Sequence, residues 1–423
     1  MTAVFDEHRR LAAPLAERFA EAGFRLYLVG GAVRDSLLAA RSDSGPAERV
    51  VGADMDLTTD ATPDQTKSLV GAIADAVWLQ GQRFGTIGAR ISGTTVEITT
   101  HRAEVYVSDS RKPVVAYSTD LVEDLGRRDF TVNAMAVDLA DGSFHDPHGG
   151  RRDLDAGVLR TPLDPETSFT DDPLRMLRAA RFVARFGFTP EPGLVDAARR
   201  LASRLEIVSA ERVRDELFRL LALPDPGPGL ALLLEADLLV HVLPEIVRLP
   251  PAARSRVLGR MAAAPADAFA RLAVLGLEID EPALAGRVAA LRLSGQDAGD
   301  VLGLARTVRR VVGAGPAASW SDEGVRRLAA DAGRHLEEAL DLVAAVGFDV
   351  GGIRVVVDRL AAVGELDDLG PALDGAAVMG LLGLREGREV GEAMAWLTDL
   401  RLRAGLLDAG EVADRLSAWW AER

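Results

Sequence analysis

Residues 28–35 read LVGGAVRD and mark a change in the local pattern of the chain. The apolar residues before Gly30 predict a strand, and the residues from Gly31 onward predict a helix. Two glycines at such a turn let backbone N–H groups approach an anion at the helix N-terminus, and Arg34 is placed to reach the same anion. A tight strand-to-helix turn with Arg34 paired to Asp35 is the simpler alternative, and the motif by itself leaves both open.

Outward from this turn, the hydrophobic pattern divides the chain into two parts. Residues 1–150 alternate helical and strand patterns, and further strands are expected at residues 55–58, 86–91, 95–100 and 131–139. The remainder is rich in Ala, Leu, Arg and Glu at helical spacing, with short Gly and Pro breaks. The predicted fold class is therefore α+β, with a mixed N-terminal sheet followed by helices.

The composition excludes several classes of protein. The chain has 423 residues and no cysteine, so a disulfide framework and cysteine-ligated zinc are excluded, and we expect a cytoplasmic protein. The apolar runs fall far short of the roughly 18 residues that span a bilayer, and the N-terminus lacks the apolar segment of an export signal. No membrane partner is predicted.

The basic residues are almost all arginine. Lysine occurs only at Lys67 and Lys112, outside any phosphate-loop context, which makes covalent lysine chemistry improbable and leaves arginine as the phosphate ligand. The net charge of −15 argues against nonspecific nucleic-acid binding. Because residues 151–223 carry +1 while the segments on either side carry −7 and −9, a polyanion would favour this middle segment.

Three acidic residues suggest a metal site. Asp54 and Asp56 are two residues apart in a predicted strand, so their carboxylates share a face and can hold Mg²⁺ between them. Such cations would bridge a nucleoside triphosphate and an attacking hydroxyl. Glu97 alternates with apolar neighbours, and either provides a third metal carboxylate or orients Arg102. An isolated D-x-D pair is more often a solvated strand edge, and only its context favours the metal.

Two arginine-rich motifs follow. Residues 127–133, RRDFTVN, combine guanidinium, carboxylate and amide groups that can contact a ribose and a triphosphate, or form a surface salt-bridge network. Residues 171–185, DDPLRMLRAARFVAR, predict one helix on which Asp172 and Arg175 are adjacent at the head of an arginine stripe. A carboxylate beside a guanidinium can match the Watson–Crick edge of a base. A solvated arginine face is the alternative.

Taken together, these segments resemble the class II tRNA nucleotidyltransferases of the polymerase β superfamily, which comprise CCA-adding enzymes and bacterial poly(A) polymerases. The motifs GGAVRD, DMDLTTDATP, EITTHR, RRDFTVNAMA and DDPLRMLRAARF follow the family's order and spacing, and SAERVRDE matches the helical element after them. The resemblance implies a polymerase β-like catalytic head (1–150), a helical neck with the base template (151–223), a helical body (224–315) and a tRNA-binding body and tail (316–423).

The resemblance also assigns roles to individual residues. It places Mg²⁺ on Asp54 and Asp56. The residues that it assigns to the nucleotide, its base or the primer are Gly30, Gly31, Arg34, Arg128, Asp129, Asn133, Asp172, Arg175, Arg178 and Arg181. Within this set, Asp172 and Arg175 are expected to select cytosine and adenine.

The activity implied is template-independent addition of CMP and AMP to tRNA 3′ ends, from CTP and ATP, with release of pyrophosphate. A poly(A) polymerase, a partial CC- or A-adding enzyme and a silent RNA-binding protein on the same scaffold are the alternatives. Two positions depart from the family pattern. His101 replaces an aromatic or hydrophobic residue, and Leu277-Glu278 stands where a His-Asp phosphohydrolase dyad would be, so no such metal is expected. The pair His145 and His148 is interpreted as part of a turn.

Overall fold

The computed structural model describes residues 2–41, 55–82, 85–105, 114–315 and 320–423. Asp54 therefore lies outside the described residues. The chain forms two compact units, the first comprising Met1–Glu216 with Pro228–Val242 and the second Leu217–Gly227 with Leu243–Arg423. The division into head, neck, body and tail that the sequence suggests remains a prediction.

Strands belong to the first unit. They are β1 (Leu26–Val29), β2 (Met55–Thr59), β3 (Ala76–Trp78), β4 (Thr86–Ile91), β5 (Thr94–Thr100), β6 (Arg102–Val105), β7 (Val114–Tyr117), β8 (Ala136–Asp138), β9 (Phe144–His145), β10 (Val158–Leu159) and β11 (Thr189–Pro190). Seven of them form one sheet in the order β3-β4-β5-β2-β1-β8-β9. β2 and β5 run parallel while the other neighbours run antiparallel, which confirms the mixed sheet and the α+β class.

Helices surround this sheet and build the second unit. Those up to residue 242 are α1 (Asp6–Glu21), α2 (Gly31–Ala39), α3 (Pro63–Gly71), α4 (Leu121–Gly126), α5 (Gly150–Ala156), α6 (Pro165–Asp171), α7 (Leu174–Phe186), α8 (Pro192–Leu201), α9 (Ala210–Leu221), α10 (Gly227–Glu235) and α11 (Leu239–Val242). Those after it are α12 (Pro244–Arg248), α13 (Pro251–Ala263), α14 (Ala268–Val274), α15 (Glu281–Ala290), α16 (Gly295–Ala314), α17 (Asp322–Ala332), α18 (Leu336–Ala345), α19 (Gly351–Ala362), α20 (Gly375–Leu382), α21 (Arg388–Ala404) and α22 (Ala409–Ala421).

The centre of the sheet is covered on both faces. All four residues of β1 are buried, which is the pattern of a central strand rather than of one with a solvated face. Tyr27 and Val29 pack against Leu125 of α4 and the apolar start of β8, while α1 and α2 also contact β1. The glycine turn that follows β1 is therefore held on a rigid support.

One predicted strand is partly wrong. The sequence suggests a strand over residues 131–139, but the chain forms a 3-10 turn at Thr131–Asn133 and becomes extended only in β8. The side chain of Asn133 donates to Asp129 Oδ1 at 2.8 Å, and this contact between residues four apart requires a curled chain. The hydrogen bonds of the Asn133 side chain to Asp129 and Arg34 outweigh the strand propensity of the motif.

The predicted helix at residues 171–185 is also interrupted. α6 ends at Asp171 and α7 begins at Leu174, while Asp172 is extended with φ −138° and ψ 98°. The physical reason is Pro173, because a proline disfavours helical backbone in the residue before it. Asp172 Oδ1 instead accepts the N–H of Leu174 at 3.2 Å, so the carboxylate caps α7 from outside the helix.

The second unit is held partly by a buried arginine. Arg271 of α14 is 1% exposed and donates to the carbonyls of Ala264 at 2.9 Å and Pro224 at 3.0 Å, and also to those of Leu221 and Leu223. These carbonyls lie at or just beyond the end of a helix, where they lack partners within it. In the described ranges, no helix combines the length and apolar character needed to cross a membrane.

Candidate active site

A cavity of about 300 Å³ opens in the first unit. Its lining residues are Gly30, Gly31, Asp56, Arg127, Arg128, Asp129, Asn133, Asp172, Leu174, Arg175, Arg178 and Arg212. Nine of these are residues that the sequence singles out, drawn from motifs up to 148 positions apart in the chain. The fold thus brings the separate motifs to one space. The three others are Arg127, Leu174 and Arg212.

The glycine turn forms one edge of this cavity. Gly30 has φ 71° and ψ −135°, a backbone conformation that side chains other than hydrogen rarely permit. A Cβ at this position would lie 3.3 Å from Arg128 Nη1 and 3.6 Å from Asp56 Oδ2. Gly30 is therefore required both by its backbone conformation and by the close approach of the two charged groups that flank the turn.

Arg34 lies beneath the cavity instead of in its lining. The side chain is 5% exposed, donates to Asp35 Oδ1 at 2.8 Å and also donates to Asn133 Oδ1. Its guanidinium lies 5.2 Å from the ring of Phe182 and 4.6 Å from that of Phe186. Burial lowers the pKa of Arg34 from its ordinary value, and Asp35 opposes this shift. Arg34 thus orients Asn133, which does line the cavity.

Asp56 of β2 provides the acidic end of the cavity, whereas Glu97 on the neighbouring strand β5 is not part of the lining. Asp56 on β2 is directly paired in register with Glu97 on β5, and each is exposed between buried neighbours on its own strand. Side chains directly opposite each other in a sheet lie about 5 Å apart at Cβ, so the two carboxylates face the same side together. Like charges at this distance repel, whereas oxygen ligands so arranged suit a hard divalent cation.

Metal sites built on histidine are not evident elsewhere. Within the residues that the structure covers, no group of three or more His, Asp or Glu side chains is arranged to hold a metal ion. His145 is the last residue of β9 and bonds to the Ser143 hydroxyl across 3.0 Å, while His148 lies in the turn that follows, so the interpretation as a turn holds for His148 alone. The absence of a phosphohydrolase metal remains a prediction, because it rests only on the sequence, which has no His-Asp dyad at the expected position.

Asp129 is the centre of a buried polar network. It is 9% exposed and accepts hydrogen bonds from the Asn133 side chain and the Phe130 N–H at 2.8 Å, and from Arg178 Nε at 2.9 Å. Burial by itself would raise the pKa of Asp129, but Arg178 and these hydrogen bonds outweigh it and hold the pKa below its ordinary value. Asp129 is therefore ionised and fixed in orientation.

Three of the four arginines in the stripe of α7, Arg175, Arg178 and Arg181, are held by partners within the unit, whereas Arg185 is exposed. Arg175 and Arg181 are each 9% exposed. Arg181 Nε donates to Glu216 of α9 at 2.7 Å, and Arg178 Nη1 donates to the same carboxylate at 3.3 Å. The alternative interpretation of this stripe as a solvated surface is wrong for these side chains, because each guanidinium is held by a carboxylate or carbonyl within the unit.

The expected pair of Asp172 and Arg175 has different partners in the structure. Arg175 donates to the Ser168 hydroxyl at 2.9 Å and to the carbonyl of Arg127. Asp172 Oδ2 instead accepts from Arg212 Nη2 at 2.9 Å. Both Asp172 and Arg175 still line the cavity. Arg212 was not among the predicted site residues, although it lies in the SAERVRDE motif that the sequence singles out.

The segment at the end of β5 contains the two remaining predicted positions. His101 is 1% exposed, and burial lowers the pKa of its ring below the ordinary value. Its ring lies 5.8 Å from that of Tyr27, so it occupies an aromatic environment, as the family pattern at this position would suggest. Arg102 Nη2 donates to Thr86 Oγ1 at 3.3 Å on the neighbouring strand β4.

Fold and cavity together define a class of protein. A mixed sheet with neighbouring carboxylates on one strand pair, a glycine turn and arginines around one cavity is the arrangement that the sequence resemblance to nucleotidyltransferases predicts. The Poly A polymerase head domain family matches residues 26–160. A second family, described as the probable RNA and SrmB-binding site of polymerase A, matches residues 187–249.

Curated proteins with similar sequences include CCA-adding enzymes. The CCA-adding enzyme of Bacillus subtilis (strain 168) is 42% identical over 211 residues, which cover 50% of this chain and 49% of that protein. The CCA-adding enzyme of Limosilactobacillus fermentum is 37% identical over 231 residues, 54% of each chain. The chain thus spans about half the length of the curated relatives it matches.

Solved structures match over a longer stretch. The Bacillus stearothermophilus CCA-adding enzyme in complex with CTP has a TM-score of 0.74 at 26% identity and covers 100% of this chain and 99% of its own. The Thermotoga maritima CCA-adding enzyme complexed with tRNA has a TM-score of 0.65 at 20% identity, covers 99% and 96%, and shows a likeness of fold alone. By its two matched domains and by these relatives, the chain is similar to the class II tRNA nucleotidyltransferase and bacterial poly(A) polymerase family. Polymerases of this family generally use a divalent metal.

Proposed function

We propose that this protein adds CMP and AMP to tRNA 3′ ends without a nucleic-acid template, using CTP and ATP and releasing pyrophosphate. The observation that carries the proposal is the cavity whose lining includes Asp56, the glycine turn and the residues Asp172 and Arg175 that the resemblance assigns to base choice. The names of the relatives, CCA-adding enzymes of two bacteria, favour this activity over poly(A) synthesis. Such a protein would work in the cytoplasm, where its substrates are.

The chemical step would take place at the acidic end. Asp54 and Asp56 would hold Mg²⁺, and Glu97 would add a third carboxylate or orient Arg102. The bound Mg²⁺ would lower the pKa of the tRNA hydroxyl and offset charge on the triphosphate. The donor set supports this choice, because carboxylate oxygens are the ligands that Mg²⁺ prefers, and Asp56 and Glu97 are direct neighbours across β2 and β5.

The triphosphate and ribose would lie against the glycine turn. Gly30 and Gly31 allow the phosphates to approach the backbone at the start of α2. Arg128 would bind the triphosphate through its guanidinium, which already lies beside Gly30. Asp129 and Asn133 would accept and donate hydrogen bonds to the ribose hydroxyls, and Arg34 beneath them would keep the Asn133 amide in place.

Base choice would be made at the opposite end. Cytosine and adenine both present an exocyclic amine beside a ring-nitrogen acceptor, whereas uracil and guanine present a carbonyl beside an N–H donor. The carboxylate of Asp172 facing the amine and the guanidinium of Arg175 facing the ring nitrogen would suit the first pair only. Each buried group left unpaired by the wrong base costs about 1–3 kcal/mol.

Arg178 and Arg181 of α7 would act through their carboxylate partners. Arg178 lines the cavity and is bonded to Asp129, so it would steady the ribose side and contribute charge near the triphosphate. Arg181 is bonded to Glu216 and would hold α9 against α7. The tRNA primer would approach along residues 151–223, the segment of the chain without net negative charge.

One assay separates the proposed activity from its alternatives. Purified protein is incubated with tRNA that ends before the CCA sequence, with each nucleoside triphosphate singly and in mixture, and the 3′ ends are sequenced. Addition of C, C and A in order supports the proposal. A run of A residues would identify a poly(A) polymerase, and CC or A alone would identify a partial enzyme. Binding of tRNA without any addition would indicate a silent RNA-binding protein.

A further inference from the structure

Asp124 lies fully buried behind the wall of the cavity. It is 0% exposed and belongs to α4, just before the RRDFTVN motif. Its Oδ1 accepts from Arg127 Nε at 3.0 Å and Nη2 at 2.9 Å, and its Oδ2 accepts from Arg128 Nη2 at 3.2 Å. Both arginines line the cavity. One interior carboxylate thus bonds two guanidiniums that face the nucleotide space.

Two further contacts connect Asp124 to the acidic end of the site. Its Oδ2 accepts the hydroxyl of Thr58 at 3.3 Å, two residues beyond Asp56 on β2. Its Oδ1 accepts the backbone N–H of Arg102 at 3.4 Å, at the start of β6. The carboxylate therefore contacts β2, the first residue of β6 and two arginines of the cavity lining at once.

The charge balance indicates that these contacts fix the arginines. Burial alone would raise the pKa of Asp124, but Arg128 and Arg127 outweigh it and lower the pKa to about 2. The group is thus ionised at any working pH, and an ionised buried carboxylate is tolerated only with its partners in place. The guanidinium of Arg128 reaches from Asp124 to the glycine turn, where its Nη1 would lie 3.3 Å from a Cβ at Gly30.

We propose that Asp124 is a positioning residue for the nucleoside triphosphate. It sets the orientation of Arg128 toward the phosphates. Through Arg127 it also holds the backbone carbonyl that accepts from Arg175 on the base side. A flexible arginine loses rotamer freedom when a ligand binds, and an arginine that is already fixed avoids that loss. The inference rests on the proposed nucleotide addition and names the residue that pre-organises its substrate site.

The test is Asp124→Asn, which removes the charge at nearly constant volume. We expect the KM for CTP and for ATP to rise about tenfold, while kcat and the KM for tRNA change less than about threefold. Equilibrium binding of CTP should weaken by the same factor as the KM rises. Unchanged KM and unchanged CTP binding would overturn the proposal.

Asp153 provides a matched control. It is 2% exposed and accepts from the Thr131 hydroxyl at 2.8 Å, from Arg160 at 3.2 Å and from Arg152 at 3.3 Å, so it too is a buried acid with one threonine and two arginines. Neither of these arginines lines the cavity. Asp153→Asn should therefore lower the Tm without raising the KM for nucleotides. Equal KM increases in both variants would show a general loss of structure and refute the role of Asp124.

A double-mutant cycle tests the route through Arg128. In an Arg128→Met background, Asp124→Asn should raise the KM by less than about twofold, because the group that it positions is gone. A further tenfold increase would contradict the proposal. If Asp124→Asn does not fold, Thr58→Val is tested instead, because it removes one hydrogen bond to Asp124. We expect the KM for CTP to rise about two- to threefold, and an unchanged KM would contradict the proposal.

Measurements on the wild-type protein distinguish failure of this inference from failure of the proposed function. If wild-type protein adds nothing to tRNA, the proposed function fails, and weaker CTP binding by Asp124→Asn still measures the positioning. If wild-type protein adds nucleotides while the variant binds CTP as tightly as wild type, only the role of Asp124 fails.

Discussion

The two ends of the cavity are built in different ways. At the acidic end, Asp56 and Glu97 lie on adjacent strands and are paired directly in register. At the base end, Asp172, Arg175 and Arg212 come from a loop and two helices, and their contacts join residues 40 to 48 positions apart. The first arrangement follows from strand geometry, whereas the second exists only when the helices are packed.

This difference predicts how each end responds to substitution. Asp56 and Glu97 are exposed on the strand pair, so the loss of either carboxylate should affect chemistry more than folding. Base-end residues are tied to one another, and a change in one should alter the orientation of the next. The following substitutions test this contrast, from the largest expected effect to the smallest.

The largest effect is expected for Asp56→Asn, or equally Asp54→Asn. Each substitution removes a metal carboxylate at constant volume and should lower nucleotide addition about a thousandfold, or about 4 kcal/mol of transition-state stabilisation. The Tm and tRNA affinity should remain close to wild type. Asp64→Asn, at the exposed start of α3, is the control and should keep full activity. Activity of either variant within about tenfold of wild type would refute the two-metal assignment.

Asp172→Ala should change base choice. Loss of the carboxylate that faces the exocyclic amine should weaken use of CTP and ATP and raise relative use of UTP or GTP, with roughly ten- to hundredfold less discrimination. Single-nucleotide incorporation with each triphosphate measures the change, and gel-shift titration checks that the primer is still bound. An equal loss with all four nucleotides, or an unchanged preference for C and A, would reduce Asp172 to a cap of α7.

A pH titration should distinguish the buried acid behind the cavity from the exposed acids at its edge. The pKa of Asp124 is about 2 in the folded protein and 3.8 ordinarily, so its stabilisation is complete above the ordinary value and is lost as the pH falls toward the folded value. The loss should reach about 2 kcal/mol. Urea unfolding of the wild type and Asp124→Asn over this interval measures it. Asp129, with its pKa also lowered, adds to the loss in both proteins, and parallel losses would contradict the assignment.

Arg212→Gln should have the smallest effect. Arg212 has a side-chain exposure of 53% and donates one hydrogen bond to Asp172, a contact worth about 0.2–1 kcal/mol at an exposed site. We expect discrimination against UTP to fall less than about fivefold with little change in Tm. Arg200→Gln removes a comparable exposed pair with Glu166 away from the cavity and should leave base choice intact. If both variants discriminate alike, Arg212 does not orient Asp172.

Much of the fold is readable from local patterns. The strand before the glycine turn, the helix after it and β4 were all expected near their observed bounds, because buried strands and amphipathic helices leave short-range periodicity. The resemblance to the family, carried by ordered motifs, is confirmed. The predicted start of α7 at residue 171 is wrong, because Pro173 disfavours helical backbone at Asp172 and the helical spacing of the arginines begins only at Arg175.

The sequence by itself determined which chemical groups are present and which of them lie on the same face of a strand or helix. The D-x-D spacing and the alternation around Glu97 fix which side chains share a strand face, because that period belongs to the backbone. Only the tertiary structure decided which charges meet. Asp124 gave no sequence signal, Arg212 was one arginine among 47, and the Asp172 carboxylate accepts from Arg212 of α9. Burial and long-range pairing set these contacts, and neither is encoded in the spacing of neighbouring residues.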